Sequence, residues 1–462
     1  MEAEVSMNKM GVKPVKKLML TMGMPMILSM MLQAFYNIVD SYFVSAIEDT
    51  VNISHMGDYA INALTLSFPV QILMIAVGVG TGVGINALLS KNLGEGDREK
   101  ASQVAGNAVF LGLCTAVLFL LFGLFGVNAY MITQTSDNLV LKMGNSYLGI
   151  CTIFSFPVIL FMIFEKLLQA TGRTNLSTIA QVAGAFTNIV LDPVLIFGLL
   201  GLPKFGVAGA AYATVIGQFI SFLLAMIFNI FLNKDISFNI KYIKPNLNTI
   251  KQIYEVGIPA IIMQALMSVM TYGVNIILGG LSIAAVTAYG IYYKIQQFVF
   301  FAAFGMNNAL IPLLAFNYGK EDKDRINDCI KYGMLYTLVI MLVGLIILQL
   351  FAHQICGVFA LSEETQKLCI MSIRIITLGY LFAGANIAYQ GIFQAFSCGI
   401  RSLIVSLLRL IIITLPLTYL LIKVPNAQQI VWISFPISEA IALAVAVIFM
   451  KHIKREKIKD IL

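Results

Sequence analysis

The stretch MMLQAFYNIVDSYFV, residues 30–44, holds one acid, Asp40, in a run with no other charge between Lys17 and Glu48. A run that long can cross a bilayer as a helix. A carboxylate facing hydrocarbon costs about 3 kcal/mol on insertion scales. The stretch therefore reads as a membrane span whose acid faces something other than lipid.

Outward from it, the same character fills the chain. Of 462 residues, 59% are hydrophobic and 11% charged, against roughly 25% charged in soluble proteins. Polar punctuation divides the chain into twelve apolar segments, 17–44, 58–89, 101–126, 138–169, 175–199, 206–232, 250–279, 283–316, 326–351, 364–396, 402–422 and 428–450. Several exceed 30 residues, which predicts tilt or bending. The basic lead MEAEVSMNKMGVKPVKK precedes a run too long for a signal-peptide core, so the first segment is read as a retained span. The expectation is an all-α integral membrane protein with a multi-pass fold.

Lys and Arg set the orientation. Of 30, 23 fall at the N-terminus, at the even-to-odd turns and in the C-terminal tail, and five (Lys142, Lys204, Lys367, Arg374, Lys423) fall on the opposite side. Lys294 and Arg409 lie within spans. The positive-inside rule places both termini in the cytoplasm of a cell-membrane protein. Topology thus explains the net charge of +7 better than nucleic-acid binding, and no nucleic-acid partner is expected.

The halves resemble each other. KNLGEGDREK (91–100) answers FNYGKEDKDR (316–325), and LLQATGRT (167–174) answers IFQAFSCGIRS (392–402). Asn92 and Asn317 are offset by the same 225 positions as Gln169 and Gln394. GMP at 23–25 answers GIP at 257–259. Six spans per half keep both halves in one orientation, so the repeats are parallel. The chain reads as a first half at 1–232, a linker at 233–249 and a second half at 250–462. Two parallel bundles are a transporter outline, shared by more than one family.

Polar residues recur every three or four positions along several spans, so each set shares one helix face. The first span has Gln33, Asn37 and Asp40 beside Tyr36. The second has Ser67 and Gln71. The fifth has Gln181, Asn188 and Asp192. The seventh has Gln264 and Asn275, the eighth Tyr292 and Gln296, and the tenth Asn386, Gln390 and Gln394. Such faces turn to another helix or to water. Asp40 lies about 34 Å along the helix from Lys17 and Asp192 about 26 Å from Asn175, which puts both in the outer half of the membrane. Asn188 is one turn before Asp192, and Pro193 frees the carbonyl of Ile189. Asp40, Asn188, Asp192 and that carbonyl suit a proton or Na⁺. The alternative is that Asp40 marks the end of its helix and Asp192 a stop before proline. The second half instead holds Lys294, Arg374, Arg409 and Glu439, of which Lys294 and Glu439 could pair.

Other motifs exclude more than they assign. GVGTGVG (78–84) lies in an apolar span with no strand before it, so it reads as packing rather than a phosphate loop. NIS (52–54) is a weak glycosylation triplet. His55, His353 and His452 form no metal set. Buried thiols are the plainer reading of the six cysteines, although Cys356 and Cys369 flank one loop and could bridge. No hydrolase or nucleotide-binding set appears, so an enzyme is not expected, and energy must come from an ion gradient or a partner.

PVKKLMLTMGMPMILSMMLQAFYNIVDSYFVS (14–45), ALTLSFPVQILMIAVGVGTGVGINALLSKNLGEGD (63–97) and QATGRTNLSTIAQVAGAFTNIVLDPVLIFG (169–198) resemble the multidrug and toxic compound extrusion (MATE) family. The resemblance spans essentially the whole chain. It implies twelve helices in two pseudo-symmetric six-helix bundles and export of small organic, often cationic, compounds against H⁺ or Na⁺. A monomer with no cofactor beyond the coupling ion is expected. It also implies a DinF-like cation site at Asp40, Asn188 and Asp192. The acids that the NorM-like branch adds fall near Met267 and Ala383 here, and neither is acidic. Asp40 would then alternate between a proton and the exported cation. A lipid-linked precursor or polysaccharide flippase of the same superfamily is the alternative, kept open by Lys294, Arg374 and Arg409.

Overall fold

The computed structural model describes residues 8–48, 56–359, 362–459 and 461, excluding the side chains of Asn37, Ile38 and Ile240. The NIS triplet, His55 and the Asn37 side chain lie outside the described residues. Among the described residues, eleven helices are long and apolar enough to cross a membrane, and a bent pair makes up to twelve. They are α1 (Val15–Ser45), α2 (Met56–Gly94), α3 (Arg98–Phe125), α4 in two pieces (Asn138–Ile153 and Phe156–Ala170), α5 (Thr174–Phe197) and α6 (Val207–Leu232). The second set is α7 (Leu247–Gly279), α8 (Ile283–Gly319), α9 (Lys323–Gly357), α10 (Glu363–Ala395), α11 (Gly399–Leu421) and α12 (Ala427–Ile458). The twelve apolar segments read from the sequence match these helices within a few residues at most ends. The excess length of the fourth is taken up by a 45° bend, at Ser155 and ahead of Pro157. Residues exposed on the outer faces, such as Leu118, Leu121 and Phe125 on α3, are apolar, as lipid requires.

The chain forms two compact units. One contains Met1–Ile27, Ser90–Gly96 and Tyr254–Leu462; the other contains Leu28–Leu89 and Asp97–Ile253. The repeat is visible inside the first of these. A Cβ on Gly94 would sit 1.9 Å from the carbonyl oxygen of Phe316, and one on Gly319 would sit 2.1 Å from that of Lys91. These positions exchange under the 225-residue offset, so the ends of α2 and α8 touch reciprocally, as twofold-related copies do. Only glycine allows backbones that close.

The lead-in segments cross between halves. Just before α1, Lys9–Gly11 forms a turn of 3₁₀-helix capped by Asn8 and gripped by second-half residues. Asn317 Nδ2 donates to the Met10 carbonyl at 3.2 Å, and Arg325 donates to the carbonyls of Met10 at 2.7 Å and Lys13 at 2.9 Å. Arg325 Nε is fixed by Asn317 Oδ1 at 2.7 Å. The equivalent segment before α7 carries the short helix Ile240–Ile243 and is held by first-half residues. Asn107 Oδ1 accepts from the Asn246 amide at 2.8 Å, Ser102 Oγ accepts from the Ser237 amide at 2.9 Å, and Arg173 pairs with Asp235. The linker is thus a strap rather than a free tether.

Candidate functional site

The first site is built by close packing of α5 on α6. A Cβ on Gly184 would meet Ser221 Oγ at 1.8 Å and the Gly217 carbonyl oxygen at 2.5 Å; one on Gly217 would meet the Gly184 carbonyl oxygen at 2.7 Å. Two glycines therefore set the helices backbone to backbone and bring Thr214 of α6 to the next turn of α5. There Asn188 Nδ2 donates to Asp192 Oδ1 at 3.3 Å and lies 3.4 Å from Thr214 Oγ1. Asp192 is fully buried and Asn188 nearly so.

Neither acid marks a helix end. α1 continues past Asp40 to Ser45, and α5 runs through Pro193 to Phe197, ending only at Gly198, with φ of 72°. Both carboxylates are held within helical walls. Asp40 is buried and close enough to Asp192 to interact electrostatically, and Tyr36, Tyr147 and Cys151 belong to the same field. Asp40 Oδ1, Asp192 Oδ2 and Asn188 Oδ1 are buried acceptors with no hydrogen-bond partner. Neither acid has an ion-pair partner among the described residues. Two acids and spare acceptors without a basic group can hold a proton or a small hard cation, which takes oxygen ligands.

The remaining first-half candidates surround this centre unevenly. Gln71 Nε2 lies 3.4 Å from the Tyr147 hydroxyl, and Gln181 exchanges hydrogen bonds with Ser29. Gln33 and Tyr36 are half-buried on the Asp40 helix. Ser67 is fully buried, its hydroxyl donating to Ala63 O in its own helix at 2.8 Å.

The second half carries a different centre. Arg409, 6% exposed, gives two hydrogen bonds to Glu439 Oε1, at 2.9 and 2.5 Å, and Asn386 Nδ2 donates to Glu439 Oε2 at 2.8 Å. Arg409 lies in a π-helical turn, Leu408–Ile412, whose freed Arg409 carbonyl accepts from Thr414 Oγ1 at 2.5 Å. Glu439 thus takes Arg409 rather than Lys294 as its partner. Lys294 and Arg374 are exposed. Tyr292 is buried within electrostatic reach of Glu439. Asn275 Oδ1 is a buried, unpartnered acceptor, and Gln264 and Gln296 are half-buried.

Sequence reasoning passed over Thr214, Tyr147 and Ser29. They are uncharged, and only knowledge of which helices touch joins them to the acids. The glycines Gly184 and Gly217 were the legible signal.

A repeated, multi-pass helical protein with a buried, uncompensated acid pair has the build of a membrane transporter. The chain belongs to the MatE family, whose model matches residues 25–194 and 259–420. It is 27% identical over 445 residues to the multidrug export protein MepA of Staphylococcus aureus (strain MRSA252), covering 96% of this chain and 95% of that one. A Staphylococcus saprophyticus MepA is likewise 27% identical over 440 residues, covering 95% and 94%. Among solved structures, the outward-facing conformation of a multidrug resistance MATE family transporter of the MOP superfamily matches with a TM-score of 0.89 at 22% identity, covering 98% of both chains. A MOP superfamily transporter from Pyrococcus furiosus, described as having a binding pocket of reverse polarity, matches with a TM-score of 0.88 at 23% identity and the same coverage. These neighbours share the fold.

Proposed function

We propose that the protein is a secondary active multidrug exporter that expels small organic cations in exchange for H⁺ or Na⁺ by alternating access. The observation that carries this reading is the set of orphaned acceptors on Asp40, Asn188 and Asp192, buried together without a basic partner. Buried ionisable groups in membrane spans are costly and mark ion or substrate pathways. Family membership and the MepA relatives support export of diverse compounds. The acids have two uses: they bind the coupling ion when the exported cation is absent and release it when that cation competes for the same charge. Rocking of a repeat-built transporter then alternates access. The excess of basic residues on one side supports cytoplasmic termini.

The flippase alternative rested on a cationic cavity. Of the three basic residues that kept it open, Arg409 is paired with Glu439, which weighs against that reading, while Lys294 and Arg374 are exposed.

The test is efflux of a fluorescent lipophilic cation from proteoliposomes. A proton gradient and a Na⁺ gradient are imposed separately. Efflux driven by either establishes the exporter and names the ion. Folded protein that moves no dye under both gradients overturns the reading.

A further inference from the structure

Six cysteines are described, and two of them meet. Cys356 lies in the last turn of α9 and Cys369 lies in the first half of α10, and both are fully buried. Their sulfurs are 2.9 Å apart, inside the van der Waals contact of two unbonded sulfurs. The backbone around them is fixed from both sides. The Val358 and Phe359 amides close the end of α9 onto the carbonyls of Ile355 and Cys356, at 3.3 and 3.2 Å. Ser362 caps α10 by accepting from the Thr365 amide at 3.3 Å. Leu348, Ala352, Leu368 and Ile373 pack around the pair in one apolar cluster. The meeting therefore follows from two anchored helix ends.

We infer that Cys356 and Cys369 are a disulfide-forming pair that staples the outer ends of α9 and α10. Nine spans separate the N-terminus from this loop, so with the N-terminus in the cytoplasm it faces outward, where disulfides form and persist. A depression of about 430 Å³ lined by His353, Gln354, Gly357 and Val358 lies at the same end of α9; both sulfurs are buried, so an oxidant reaches them when these helix ends open locally. The chemistry is thiol–disulfide exchange. The thiolate of Cys356 attacks an external low-molecular-weight disulfide and expels one thiol. The thiolate of Cys369 attacks the mixed disulfide and expels the second. The pair loses two protons and two electrons, and one external disulfide becomes two thiols.

The experiment counts thiols. Membranes are quenched in acid, and the full-length protein is denatured and alkylated, then reduced and alkylated with a second label. Four of the six cysteines are expected to take the first label and two, Cys356 and Cys369, the second, with a linked peptide in the mass spectrum. Cys356→Ser and Cys369→Ser are each expected to show five first-label thiols and no second, a count that does not depend on folding. Closure seen only after exposure of membranes to oxidised glutathione also supports the pair, as a reversible one. Six first-label thiols both before and after that exposure, or a bridge through any other cysteine, overturn it. The side is read separately, by labelling Lys367→Cys in whole cells with a membrane-impermeant maleimide.

Discussion

Asp192→Asn keeps the shape of the side chain and removes the charge. If the acids carry the ion, the variant folds but loses gradient-driven efflux by a factor of about 5–150, the range of ordinary site coupling. Asp40→Asn loses it likewise. Both are read in the same proteoliposomes, beside dye binding measured without a gradient. Efflux at the wild-type rate from Asp40→Asn would exclude that acid from coupling. Thr214→Ala is expected to have a smaller effect, because its contact to Asn188 is long at 3.4 Å. Arg409→Ala belongs to another category. It strands a buried Glu439 carboxylate and is expected to cost about 3–5 kcal/mol of stability. Arg409→Met combined with Glu439→Gln should recover most of that, because the pair is lost whole. Thermal unfolding in detergent distinguishes the two outcomes.

At the scale of elements, glycine contacts carry the argument. Gly94→Ala or Gly319→Ala places a methyl group against a backbone carbonyl, at 1.9 or 2.1 Å before relaxation. Each is expected to lower stability by about 1–3 kcal/mol, as overpacking does, and by similar amounts, since the contacts are repeat equivalents. Arg325→Ala removes the grip on Met10 and Lys13. Limited proteolysis at Lys13, Lys16 and Lys17 should then accelerate while the rest of the chain stays intact. Spans were legible because an apolar run of bilayer length has one common solution. Helix partners were not, since lipid-facing and helix-facing apolar residues look alike in sequence. The polar stripe Gln181, Asn188, Asp192 fixed a face of α5 without saying that Thr214 would meet it. Lys294 reads in sequence as a partner of Glu439, and Arg409 is the residue that reaches it, because charge alone does not encode distance.

At the scale of the whole molecule, the repeat and the charge asymmetry could be read directly, and the repeat returns as reciprocal contact of α2 with α8. The compact units could not be read. Residues up to Ile27 and from Ser90 to Gly96 group with Tyr254–Leu462, although both belong to the first half in sequence. With the basic side in the cytoplasm, a tag at either terminus should become accessible to a membrane-impermeant reagent only after cells are permeabilised. If the coupling ion is H⁺, an acidic exterior should speed efflux and an acidic interior slow it.

The crossed lead-ins bear on how the chain is made. Synthesis runs from the N-terminus, so Lys9–Gly11 leaves the ribosome before Asn317 and Arg325 exist. Its docking awaits about seven-tenths of translation, up to Arg325 of 462 residues, and belongs to the later events of assembly. The strap before α7 has the opposite history, since Ser102, Asn107 and Arg173 are already in place when it emerges. A fragment ending after the linker can therefore tie its own strap, whereas one beginning at α7 arrives with neither.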